Sequence, residues 1–120
     1  MTIRRCVPNL VSGDLGASRG FYAGLLGFEV AMDEDDLTMY RSPSNPTAQV
    51  TVGTDAESAW DPEVHRPRLS VEVEDVDAVH AEAVRRGLRI VHPLTDEPWG
   101  VRRFFVEDPD GTVVNVLSHL

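Results

Sequence analysis

Asn115 stands in the run Thr112–Leu117, TVVNVL, with valines on both sides. A carboxamide among apolar neighbours carries one acceptor and two donors, and it must find partners when buried. Arg68 and Ser70 alternate with Leu69, Val71 and Val73. If the apolar set of this strand faces a helix, Arg68 and Ser70 face the opposite side. The same parity sets Gln49 and Thr51 against Ala48, Val50 and Val52, sets Tyr40 against Met39, and groups Asn115 with Val113 and Leu117. Trp60 and Trp99 offer flat surfaces for stacking, or they pack at a loop or a subunit contact. Phe104 either lines a pocket or fills the core. The chemistry in reach is recognition, with a few polar groups converging among apolar ones. Asn115 and Arg68 either meet a ligand or bond each other and the backbone.

Acid–base chemistry has a thinner basis. Arg68 could hold a carboxylate or enolate, with Glu72 or Glu74 as base. The histidines His65, His80, His92 and His119 have no metal-site spacing. His80 reads as the partner of Asp77 on a helix surface. Cys6 shares parity with Pro8 and Leu10, the side assigned to the core, so it reads as a buried structural thiol. Arg102 and Arg103 point to alternate faces, and one of them is expected to pair with Glu107 or an acidic loop.

The 120 residues suit one domain with a modest core. A net charge of −9 argues against nucleic acid and anionic membrane as partners and is compatible with a cationic or neutral small ligand. No apolar run is long enough to span a bilayer, and the first residues carry no apolar signal segment. One cysteine cannot form an internal disulfide, so a reducing cytoplasm is the expectation.

Two similar series of elements position these residues. The first runs from a strand over 3–12, through a helix capped by Asp14 and stopped at Gly27, to strands over 28–32, 37–41 and 47–53. Its helix carries the stripe Leu15, Phe21, Tyr22, Leu25 and Leu26. Residues 54–67 read as a linker anchored by Trp60. The second runs from a strand over 68–74, through a helix capped by Asp75 and stopped at Gly87, to a strand over 88–92 and the loop PLTDEP. A hairpin closes it, turning at Asp-Pro-Asp-Gly, 108–111. The expectation is an α+β domain of two modules, 1–53 and 68–120.

The segments DLGASRGFYAGLLGF, Asp14–Phe28, and PWGVRRFFVEDPDG, Pro98–Gly111, resemble the vicinal oxygen chelate superfamily of glyoxalases, bleomycin-resistance proteins and extradiol dioxygenases. The resemblance covers nearly the whole chain. It implies two βαβββ modules forming an open, cup-shaped sheet, and a homodimer. In the metal enzymes of that family, ligands fall at the positions of Val7, Arg68 and Asn115 here. Valine has no donor atom, arginine repels a cation and a lone amide oxygen is weak. A shifted register offers only Asn9 and Ser70. The resemblance therefore implies the metal-free, bleomycin-resistance-like branch, with no cofactor, no metal and no catalytic residue. The expected ligand is a small cationic or aromatic molecule, such as an antibiotic to be sequestered. The expected ligand-binding set is Tyr40, Gln49, Trp60, Arg68, Ser70, Trp99, Phe104 and Asn115. The alternative is a lyase or isomerase of the same superfamily, metal-independent or with a displaced metal site.

Overall fold

Asp14 and Asp75 cap the two helices as their positions predict. The Asp14 carboxylate accepts from the Ala17 N–H at 3.0 Å, and Asp75 accepts from Ala78 at 3.1 Å, so each satisfies an orphan donor of a first turn. The computed structural model describes residues 2–55, 60, 63 and 66–120. His65 and most of the expected linker lie outside the described residues. The chain divides into two compact units, Val7–Ala59 and a second made of Met1–Cys6 with Trp60–Leu120. Strand β1, Ile3–Val11, supplies residues to each.

In the unit Val7–Ala59, helix α1 spans Leu15–Arg19, and strands β2, β3 and β4 span Glu29–Glu34, Leu37–Arg41 and Gln49–Gly53. The strand order is β2-β3-β4-β1. Strand β1 runs parallel to β4, with Asn9 opposite Thr51, and the other pairs are antiparallel. The expected helical stripe fails here. After Arg19 the helix widens into a π-helix over Gly20–Leu25, in which the Leu26 N–H reaches the Phe21 carbonyl at 3.1 Å. The i→i+5 bond puts an extra residue into the turn, so Leu25 and Leu26 no longer fall in line with Leu15 and Tyr22. Phe21, Leu25 and Leu26 stay 50–71% exposed. Tyr22 instead lies against Tyr40, with ring centroids 5.4 Å apart.

The second unit repeats the topology. Strand β5 is Leu69–Val73, helix α2 is Val76–Arg85, and β6, β7 and β8 are Ile90–Asp96, Val101–Glu107 and Val113–His119. Here the order is β5-β8-β7-β6, with β5 parallel to β8. The start of β1 attaches to β5: the Glu74 N–H donates to the Thr2 carbonyl at 3.0 Å. One face of these strands carries the core. Val73, Val76, Ala83, Phe104 and Val116 pack together, with Val71, Val79, Ile90, Leu94, Val106 and Val114 against them. Ser118 fixes the helix start, accepting from the Val76 N–H at 3.0 Å and donating to the Val73 carbonyl at 2.8 Å. The β7–β8 turn forms as its sequence requires. Asp108 accepts from the N–H groups of Asp110 and Thr112, and Gly111 takes a φ of 83°, where a Cβ would be strained.

Three expectations need correction. The segment expected as the loop PLTDEP largely belongs to β6, which runs to Asp96 with register shifts on either side of His92. Pro93 is tolerated because β6 ends the strand order of its unit and is bulged there. Cys6 is exposed, together with Pro8 and Leu10, while Val7 and Asn9 are buried. The apolar pattern of β1 is nearly even on its two faces, so parity alone pointed the wrong way. His80 meets the edge of Phe104 at 5.0 Å, and Asp77 pairs with Arg102 instead.

Candidate functional site

The hairpin register places the polar residues of the second unit. Phe105 pairs with Asn115, Asn115 with Ser70, and His92 with Phe105. These four residues therefore form a row across β5, β8, β7 and β6. Val114 and Val116, on either side of Asn115, pack into the α2 core, so the row lies on the face away from α2.

Asn115 is 5% exposed. Its Nδ2 donates to Ser70 Oγ at 3.1 Å, while its Oδ1 is buried with no hydrogen-bond partner among the described residues. An unmatched buried amide oxygen costs about 1–3 kcal/mol. A ligand donor reaching this oxygen would recover that cost.

Next to the row lies an aromatic cluster. His92 tilts over Phe105 with centroids 4.6 Å apart, and Trp60 approaches the same ring at 6.1 Å. The Arg103 guanidinium sits 4.8 Å from Phe105, 4.9 Å from Trp99 and 5.6 Å from Trp60. Arg103 also donates to Glu97 at 2.8 Å. One such pair was expected, with Glu107 or an acidic loop; both arginines form one with the PLTDEP segment, Arg102 with Asp96 (and with Asp77) and Arg103 with Glu97, while Glu107 meets Arg89.

Glu72 lies on the same face of β5 as Ser70. Arg5 donates to one of its oxygens at 2.5 Å, and His119 Nδ1 lies 2.8 Å from the other. An ionised carboxylate only accepts, so Nδ1 carries the proton in this bond. Burial pushes the Glu72 carboxyl up, but the bonds from His119 and Arg5 outweigh it and hold it below its ordinary 4.5. A folded-state pKa below the unfolded one means stability that is present above the unfolded value and lost as pH falls through the folded value. The urea midpoint of Glu72→Gln is therefore expected to fall less than that of the wild type between about pH 7 and about pH 3. Equal falls in the two proteins would remove Glu72 from the acid dependence.

The expected ligand-binding set separates under this geometry. Ser70 and Asn115 are bonded, and Trp60 and Trp99 meet through Arg103. Arg68 is exposed, just before β5. Tyr40 and Phe104 are both 0% exposed, Tyr40 against Tyr22, and Phe104 in the α2 core on the face away from Asn115. Gln49 is half-buried and donates to the Pro46 carbonyl at 2.8 Å. Sequence reasoning missed Phe105 as the neighbour of Asn115 and Arg103 as the cation over Phe105. Counting outward from the Asp-Pro-Asp-Gly turn pairs Phe105 with Asn115, and that signal was available.

The three positions where the resemblance places metal ligands do not fit a divalent cation. Val7 is a buried hydrocarbon, Arg68 is a cation, and Asn115 offers a single amide. Among the described residues, no group of three or more His, Cys, Asp or Glu side chains could hold a metal ion. Among the described residues, no helix is long and apolar enough to cross a membrane.

A bleomycin resistance protein from Geobacillus stearothermophilus is 29% identical over a 134-residue alignment, covering 95% of this chain and 96% of that one. A glyoxalase/bleomycin resistance protein/dioxygenase superfamily member from Vibrio splendidus 12B01 superposes with a TM-score of 0.63 at 18% identity, covering 98% and 99% of the two chains. Methylmalonyl-CoA epimerase from Mycobacterium tuberculosis gives 0.73 at 16% identity, covering 99% and 88%. These likenesses agree with the α+β topology found in each unit. The family model for the Glyoxalase/Bleomycin resistance protein/Dioxygenase superfamily matches residues 2–116, and the chain belongs to that superfamily.

Proposed function

We propose that this protein binds a small molecule without a metal ion, and that the ligand is a cationic, partly aromatic antibiotic of the bleomycin type held by sequestration. The observation that carries this reading is Asn115. At the position where a metal enzyme needs a carboxylate, the chain holds a neutral amide with an unmatched, buried oxygen. An amide there suits a neutral or positively charged hydrogen-bond donor on a ligand. The similarity to bleomycin resistance proteins supports the ligand class, and the net charge of −9 favours encounter with a cation. Trp99, 52% exposed, offers an aromatic surface beside the row. A cytoplasmic homodimer is part of the same reading. The exposed Phe21, Leu25 and Leu26 support a second copy of the chain as the partner that covers them.

The enzymatic alternative has less behind it. Of its two candidate bases, Glu74 is exposed, and Glu72 is bonded by both Arg5 and His119 and held as a weak base.

Titration of purified protein with bleomycin by calorimetry tests the proposal, together with elemental analysis of protein prepared without chelator. Saturable binding by metal-free protein is expected. Stoichiometric metal, or no heat and no rise in Tm with bleomycin-type and other cationic aromatic antibiotics, would overturn it.

A further inference from the structure

We infer that Arg103 is a positioning residue that sets the rings of both tryptophans for ligand capture. The inference rests on the ligand-binding reading above and names a residue which that reading does not use. Arg103 lies in β7 and is 4% exposed. Its guanidinium faces three rings, those of Phe105, Trp99 and Trp60, and donates to Glu97. Trp60 and Trp99 are the only tryptophans in the chain.

The local backbone shows why one arginine can do this. Glu97 and Trp99 share the short turn that leads into β7. That turn is closed by the Glu97 N–H to the Val101 carbonyl at 2.8 Å and the Gly100 N–H to the Glu97 carbonyl at 3.1 Å. Arg103 therefore grips the turn twice, through an ion pair to Glu97 and through the indole face of Trp99. From the other direction Trp60 reaches the same cation and the Phe105 ring. A planar guanidinium can face several rings and bond a carboxylate at once, whereas a compact ammonium cannot keep all these contacts. The Arg103 and Glu97 side chains are only 5% and 12% exposed, so their charges neutralise each other away from water. A pair buried this way adds little net stability over a well-packed apolar pair, and its return is orientation of the rings. With Glu97 in place, the Arg103 charge is matched by a carboxylate.

The test uses Arg103→Met and Arg103→Lys, each also in Trp60→Phe and Trp99→Phe backgrounds, so that single indoles report. Arg103→Met is expected to unfold cooperatively but to lose near-UV circular dichroism from the indoles. Acrylamide quenching of Trp99 should rise about twofold or more, and the Kd for bleomycin about tenfold or more. Arg103→Lys is expected to restore neither the indole signal nor the affinity, because it returns the charge without the plane. Methylguanidinium at low millimolar concentration should partly recover the indole signal of Arg103→Ala, and methylammonium should not. Wild-type indole spectra and wild-type bleomycin affinity in Arg103→Met would overturn the inference, as would full recovery by lysine. If Arg103→Met does not fold, the lysine and alanine variants decide by the same readouts. If the wild type binds no bleomycin, the ligand reading falls, and the inference that Arg103 sets the rings for capture falls with it.

Discussion

Replacing Asn115 by leucine is expected to weaken bleomycin binding by roughly 5- to 150-fold while leaving Tm unchanged or higher. The two effects have opposite signs for one reason. In the free protein Asn115 Oδ1 is buried and unmatched among the described residues, so the amide carries a desolvation penalty. Leucine has similar size and no polar group, so it removes that penalty. The variant also gives up the bond from Nδ2 to Ser70 Oγ, which is worth about 1 kcal/mol net and offsets part of the gain. In the complex the ligand's donor has lost its acceptor, and desolvating that donor without a partner costs about 1–3 kcal/mol, which corresponds to roughly 5- to 150-fold in Kd. Isothermal titration and thermal melts on the same preparations measure both quantities. Unchanged affinity would remove position 115 from the site. A marked fall in Tm would show that Asn115 is a structural residue whose oxygen is satisfied in solution.

Phe104→Ala is expected to cost about 3–5 kcal/mol of stability, a large part of the roughly 5–15 kcal/mol that holds a domain together. Phe104 is 0% exposed and sits in the core cluster beneath α2, where His80 meets its ring edge-on. Truncation leaves a cavity among Val73, Val76, Ala83 and Val116, none of which can swing in to fill it. Urea denaturation should show a lower midpoint with an unchanged slope. The informative comparison is Phe105→Ala. Phe105 is equally buried but lies on the opposite face, under Arg103, His92 and Trp60. Folded Phe104→Ala should retain bleomycin affinity, whereas folded Phe105→Ala should lose it. The reverse pattern would place the ligand on the α2 side of the strands and sink the assignment of faces.

Much of the fold was legible because its signals are local. Asp14 and Asp75 cap helices with their own side chains, and Asp108 with Gly111 makes a turn whatever surrounds it. Alternation in β5 correctly put Ser70 opposite Val71 and Val73, because one face of that strand is strongly apolar. Where both faces are apolar the same rule failed, as at Cys6. Phe104 and Phe105 are the same residue type side by side, and in sequence only counting outward from the Asp-Pro-Asp-Gly turn separates them. Only the register of β7 against β8 sends one beneath α2 and the other beside Asn115. Trp60 could be read as an apolar anchor, but its target could not, since contacts between distant segments leave no periodic trace.

By itself, then, the sequence determined the two βαβββ series, the family, and which side chains stand at positions 7, 68 and 115, because side-chain chemistry and short-range backbone preference are written residue by residue. The tertiary structure decided that the Asn115 oxygen is left unmatched and that Arg103 collects both tryptophans. Those facts depend on which partners a fold brings within about 3 Å for a hydrogen bond or about 6 Å for a cation over a ring, and that distance is set by strand register and packing rather than by spacing along the chain.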